Sequence, residues 1–399
     1  MSSSPRLYAR ARPLLSWGFN GAAQLLQEID KAALVCPHRY RGARAIRARP
    51  AARFSQFRLK MGENRAAVSV AVFSRFAIYA NVVSPTHGKR LSNEAAIGIM
   101  PCRCYAAVFF SLEMKTTFPA LRDRLAQLLQ RLEAAGIVVH PSSRFGRYSK
   151  ELEIAARSEY DMPPDDVLRV WHRLLIEVDD LDTIVSALSV EPVVRGWEEK
   201  TQATLSGGLL RTQDQNDCAA RNIQFELLVA SILRRAGYSI RLGDALNGEP
   251  DVLCTSSASR FAVEAKRPRS PAKVKRNIRT AQHQMAQHCL SGLVAVDLTI
   301  LENPSDKHFT TRTFAQAHEA LVQRFLLMSG YVRWAETGGI DTSVVFGLIT
   351  HVALPLWEPD ERTMSFMQRW SILSLVEETD ARHNTLIEVH DKLTYLGAG

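Results

Sequence analysis

The sequence predicts an α/β protein in which a helical module precedes a core of element order αβββαβ. Three observations carry this. Leucines recur at helical spacing from Phe118 onward. After about residue 216 helical stretches alternate with short strand-like runs. A composition of 46% hydrophobic and 23% charged residues suits a globular chain rather than a disordered one. At 399 residues the chain is long enough for two or three domains.

Residues 1–113 are read as a basic, poorly ordered extension, or as translated upstream sequence with the true start near Met114. They hold 17 Lys/Arg against 5 Asp/Glu, and Arg39 to Arg53 is rich in Arg, Ala and Pro without a sustained period. The +9 charge of the whole chain therefore belongs to this stretch, and the remainder is net acidic by 3. Global charge gives no argument for a polyanion partner, so only local patches count.

From Phe118 the pattern is helical: Leu121, Leu125, Leu128, Leu129 and Leu132 share a face, and Gly136 sits at a C-cap position. A second helix is expected after Pro163-Pro164-Asp165-Asp166, with Val167, Val170, Trp171, Leu174 and Leu175 on one side. A third covers about Asp180 to Leu188, completing a helical module over 114–203. Residues 204–215, polar with two glycines, read as a linker.

The core is expected over 216–300: a helix from about Ala219 to Ala236 closed by Gly237, strands Tyr238–Leu242, Pro250–Cys254 and Arg260–Lys266, a helix from about Lys273 to Cys289, and an apolar strand Gly292–Thr299. An α/β extension follows over 301–399, with a helix near Phe314–Met328 and a strand near Ser343–Ile349. The tail from Thr363 reads equally as strand or helix, and no internal repeat is evident.

Several function classes find no support. The six cysteines lack framework spacing, which suits a reducing cytosol, and Cys102-x-Cys104 has no second pair to make a zinc site. The most apolar run, Ala66 to Val83, is broken by Ser69, Ser74, Arg75 and Asn81, so no membrane span or membrane partner is expected. No clean secretory signal is visible. The Arg/Ala-rich leader also resembles an organellar transit peptide, but the expected location is the cytoplasm. No phosphate-cradling G-x-x-x-x-G-K-[ST] string is present, so no ATP-driven translocation is expected. His283, His288 and His351 do not form a common site.

The chemistry-bearing residues lie around the strand RFAVEAK. Alternation puts Phe261, Val263 and Ala265 on one face, and Ala262, Glu264 and Lys266 on the other. Pro268 ends the strand. A hairpin across Thr255–Ser259 would bring Asp251 of the preceding strand to Glu264. Two converging carboxylates suit a hard cation such as Mg²⁺ (or Mn²⁺), and a neighbouring ammonium would orient a water and offset charge on a phosphate. Glu226 sits at the edge of the buried stripe Phe225, Leu228, Val229, Ile232 and Leu233, where it either looks toward that site or pairs with nearby arginines.

Glu226, Pro250-Asp251 and Glu264-Ala265-Lys266 resemble the signature of the PD-(D/E)XK nuclease superfamily, and FELLVASILRRAGYSI and VEAKRP resemble segments of Holliday-junction resolvases and restriction endonucleases. The resemblance covers about 80 residues and implies a restriction-endonuclease-like αβββαβ core with a mixed central sheet. It implies Glu226, Asp251 and Glu264 as metal ligands, Lys266 beside the scissile phosphate, and a glutamine of the next helix, Gln284 in preference to Gln282, as a further catalytic residue.

One local patch favours a nucleic acid: Arg267, Arg269, Lys273, Lys275, Arg276 and Arg279 lie in an acid-free stretch directly after the reactive strand. The expected activity is Mg²⁺-dependent endonucleolytic hydrolysis of DNA phosphodiester bonds in restriction, phage defence or repair. The flanking modules would supply target recognition or homodimer contacts. Two other readings stay open: a catalytically silent nucleic-acid- or protein-binding module of the same fold, and a helical scaffold whose interaction surface is residues 114–200.

Overall fold

The computed structural model describes residues 107–112, 116–157, 164–213, 219–306, 309–310, 339–358 and 363–397. All of them belong to one compact unit, Asn64–Gly399. The helix expected near Phe314–Met328, and Cys36, Cys102 and Cys104, lie outside the described residues.

The protein is mixed α/β. Strand β1 (Ala107–Leu112) is followed by α1 (Phe118–Ala134), α2 (Arg144–Arg157), α3 (Asp165–Leu188), α4 (Trp197–Thr204) and α5 (Ala219–Arg235). Next come β2 (Ser239–Leu242), β3 (Val252–Thr255), β4 (Arg260–Lys266), α6 (Pro271–Gln287), β5 (Gly292–Asp297) and the one-turn helix α7 (Thr299–Glu302). The chain continues with β6 (Phe309–Thr310), β7 (Val345–Glu358), β8 (Thr363–Ser374) and α8 (Ala381–Gly397).

Among the described residues the strands form one eight-stranded sheet in the order β1-β8-β7-β5-β4-β3-β2, with β6 beside β7. It is mixed: β4, β5 and β7 run parallel, whereas β2–β3, β3–β4, β7–β8 and β8–β1 pair antiparallel. The β4–β5 pair needs a long connection because parallel neighbours cannot be joined by a hairpin, and α6 supplies it. Two positions fix the frame locally. Gly237 takes φ +86° to close α5, where a side chain would be strained. At Gly292 a Cβ would sit 1.9 Å from the Ala262 carbonyl oxygen, so only glycine lets β5 begin flush against β4.

Alternation along β4 sorts the core into two layers. Phe261, Val263 and Ala265 join the apolar cluster that holds Phe225 and Leu228 of α5, and also Leu121, Leu128, Trp171 and Leu174 of the preceding helices. Ala262 faces the second cluster, with Val274, Ile278, Ala281 and Met285 of α6. The helical module and the sheet thus share one core.

Several elements differ from expectation. The helices expected after Pro164 and over 180–188 are one continuous helix, α3, because Asp180 does not interrupt it: the side chain is buried and accepts a hydrogen bond from Gln224 Nε2 at 2.9 Å. Helices α2 and α4 were not anticipated. Within the described part of the expected linker, 204–213, Leu205, Leu210 and Arg211 are buried and Arg211–Gln213 forms a 3₁₀ turn. Residues 107–112, assigned to the basic extension, form an edge strand whose six residues pair with β8. The ambiguous tail resolves into strand β8 and then helix α8.

Candidate active site

The acids gather where β3 begins and β4 ends. The ladder pairs Val252 with Val263, so Asp251, one residue beyond it, stands opposite Glu264. Residues opposite in an antiparallel pair point to the same side. The Asp251 carboxylate is then pinned by the Ala265 backbone N–H, which donates to Oδ2 at 2.8 Å. Lys266, two residues along β4 from Glu264, lies on the same face. Its Nζ donates to Glu264 Oε2 at 2.5 Å and stands 3.7 Å from Asp251 Oδ2.

Glu264 is the anomaly in this group. It is 0% exposed, and while Oε2 has the lysine, Oε1 is buried with no hydrogen-bond partner. A buried unmatched carboxylate oxygen is costly. Burial first, and then the charge and hydrogen bonding of neighbouring Asp251, push the Glu264 carboxyl up to about 8 against the opposing pull of Lys266. Burial works against the Lys266 charge, but Asp251 and Glu264 outweigh it, so its ammonium ends above the ordinary lysine value.

Glu226 approaches from the α5 layer. Burial and then the charge of Asp251 raise its carboxyl, and Lys200 and Lys266 oppose that rise. Its Oε2 accepts a hydrogen bond from Lys200 Nζ at 3.3 Å. Among the described residues no three His, Cys, Asp or Glu side chains form a ready ligand group. Of the three expected acids, Asp251 and Glu264 share Lys266, whereas Glu226 is engaged by Lys200. The pair fits a hard divalent cation: Mg²⁺ uses few protein carboxylates and keeps several waters, and the orphaned Glu264 Oε1 is an oxygen donor in want of a partner.

Of the two candidate glutamines on α6, Gln282 is committed elsewhere, since its Oε1 accepts the Asp341 backbone N–H at 2.9 Å. Gln284 is half-buried, and its Oε1 is a second buried acceptor without a partner. It lies on the helix that covers the Glu264 face of β4, though among the described residues no hydrogen bond joins it to the acids.

The expected basic patch divides. Arg267 is not a surface cation: its side chain is 8% exposed, Nε donates to Asp297 Oδ2 at 2.7 Å and Nη1 donates to the Arg221 carbonyl at 2.7 Å. One step of alternation beyond Lys266 turns it toward the α5 layer. Arg269 is half-buried, whereas Lys273, Lys275, Arg276 and Arg279 are exposed along α6.

Behind the strand ends lies a polar interior that sequence reading did not anticipate. Glu177 of α3 is fully buried and held well below the usual carboxylate range, because Arg144, Arg221 and Arg173 together outweigh the cost of burial. Their Nε atoms lie 3.1, 2.8 and 2.7 Å from its oxygens. Asp297 gathers Arg267, the Thr299 backbone N–H at 3.0 Å and His351 Nδ1 at 3.1 Å. A small cavity of about 10 Å³ lies here, walled by Arg173, Arg211, Arg221, Arg267 and Asp297. It lies among these structural ion pairs, and neither Asp251 nor Glu264 lines it.

Lys200 is the site residue that sequence reading missed. It falls at i+3 from Trp197 and beside Thr201, on the face α4 buries. That placement is a local signal, but its partner Glu226 is 26 residues away. Among the described residues no helix is long and apolar enough to cross a membrane. Comparison with known protein families, curated proteins and solved structures finds no match to this chain.

Proposed function

We propose that this protein is a divalent-metal-dependent nuclease of the restriction-endonuclease-like, PD-(D/E)XK type, acting on DNA phosphodiester bonds in restriction, phage defence or repair. The observation that carries the reading is the placement of Lys266 Nζ 2.5 Å from Glu264 and 3.7 Å from Asp251, on adjacent antiparallel strands. The order α5-β2-β3-β4-α6-β5 supports it, since this is the αβββαβ succession the signature implies.

Asp251 and Glu264 would hold the cation, which when bound lowers the pKa of a water and offsets charge building on the phosphate. The chain's own residues supply the rest. The Ala265 N–H fixes Asp251, so the carboxylate needs no reordering when substrate arrives. Lys266, whose ammonium stands beside both acids, would donate to a water or to a non-bridging phosphate oxygen. Gln284 offers an amide on the covering helix. The exposed cations of α6 give sequence-independent grip on the backbone.

The purified full chain should nick supercoiled plasmid DNA with Mg²⁺ or Mn²⁺ and stop with EDTA. Asp251→Ala and Lys266→Ala should each lower the rate by about 10²–10³-fold, as for loss of a group acting on developing charge. Equal cleavage by all three proteins would overturn the assignment. One observation favours a second reading, a silent binding module of the same fold: Glu226 is already neutralised by Lys200. That reading expects metal-independent DNA binding and no cleavage.

A further inference from the structure

We propose that Lys200 stands in for a second divalent cation, so that the centre takes one ion on Asp251 and Glu264 while the ammonium of α4 serves Glu226. The inference rests on the metal-dependent reading above and deepens it. Three carboxylates and two ammoniums meet here, and they divide unequally. Lys266 is shared by Asp251 and Glu264, which leaves Glu264 Oε1 a buried oxygen donor without a hydrogen-bond partner, the atom that would take a cation. Glu226 has no such opening on its α4 side, where Lys200 Nζ lies 3.3 Å from Oε2.

The placement of Lys200 is not that of an incidental surface lysine. Helix α4 buries Trp197, Thr201 and Thr204, and Lys200 shares that face. Its side chain is 21% exposed and that of Glu226 16%. Positions i±3 and i±4 from Lys200 are Trp197, Ala203, Gly196 and Thr204, so α4 itself offers no acid partner. The stem instead runs across the α4–α5 contact to reach Glu226. A compact ammonium there supplies one positive charge where a second metal would supply two. The helical module thereby contributes a residue to the centre.

Mn²⁺ titration of the full chain without DNA, by calorimetry and by the electron paramagnetic resonance of the free ion, tests this. Wild type should bind one ion per chain and Lys200→Arg one. Lys200→Met, which keeps the stem and removes the charge, should bind two, and adding Glu226→Gln should return the count to one. Circular dichroism and melting of each variant confirm that it is folded. One ion in both wild type and Lys200→Met, or two in wild type, would overturn the role of Lys200 while leaving the metal centre standing. No ion in wild type would overturn the metal-dependent reading, and this inference with it.

Discussion

Arg267 turns its guanidinium inward onto Asp297, 2.7 Å away, while its chain neighbour Lys266 faces the acids. The pair ties the end of β4 to the end of β5, and the second bond of Arg267, to the Arg221 carbonyl, ties both to the helix that carries Glu226. Removing the arginine leaves a buried carboxylate short of its main partner. Arg267→Ala is expected to lower stability by about 3–5 kcal/mol in urea denaturation. A loss below about 1 kcal/mol would mean the arginine is a surface residue.

The α6 cations are expected to behave in the opposite way. Lys273→Ala with Arg276→Ala removes two exposed charges and should leave urea stability within about 0.5 kcal/mol. In DNA titrations at several salt concentrations the slope of log K against log[salt] should flatten by about 0.9 per lost phosphate contact. An unchanged slope would place the DNA elsewhere.

Asp180 gives a stability test that depends on pH. Burial raises its carboxyl from 3.8 to about 6, against the pull of His351 and Arg173. The folded state binds the proton more tightly than the unfolded chain, so the Asp180 contribution is most favourable below pH 4 and is lost as pH rises through 6. Asp180→Asn retains an acceptor for Gln224 Nε2 and carries no charge. Its advantage over wild type should grow between pH 4 and 7 to on the order of 2–3 kcal/mol. A difference constant with pH would show that Asp180 titrates normally.

Gly292→Ala tests the frame of the site. The added methyl would meet the Ala262 carbonyl oxygen at 1.9 Å, and backbone cannot move aside as a side chain can. The start of β5 must part from β4, at a cost of about 3 kcal/mol in thermal or urea unfolding. A neutral substitution would mean that the β4–β5 pairing is looser than described.

The fold was legible where local pattern decides it. The αβββαβ succession followed from alternating periods, and Gly237 from the need for a positive φ. Asp251 opposite Glu264 followed from a short hairpin between two recognisable strands. What escaped was set by contacts distant in sequence. The helix expected from Asp180 is the continuation of the one before it, and the partner that holds Asp180 inside, Gln224, lies on another helix. Arg267 looked like a phosphate contact because a basic run masks direction, although the alternation that placed Lys266 on one face already placed Arg267 on the other. Lys200 sat on a buried stripe, but nothing within α4 pointed to Glu226.

Diffraction from crystals soaked in Mn²⁺, with the anomalous signal of the ion, tests the central claim most directly. The account predicts a peak within coordination distance of both Asp251 and Glu264, the latter through Oε1, and none beside Glu226 while Lys200 is present. Occupied surface positions with no density between Asp251 and Glu264 would contradict it.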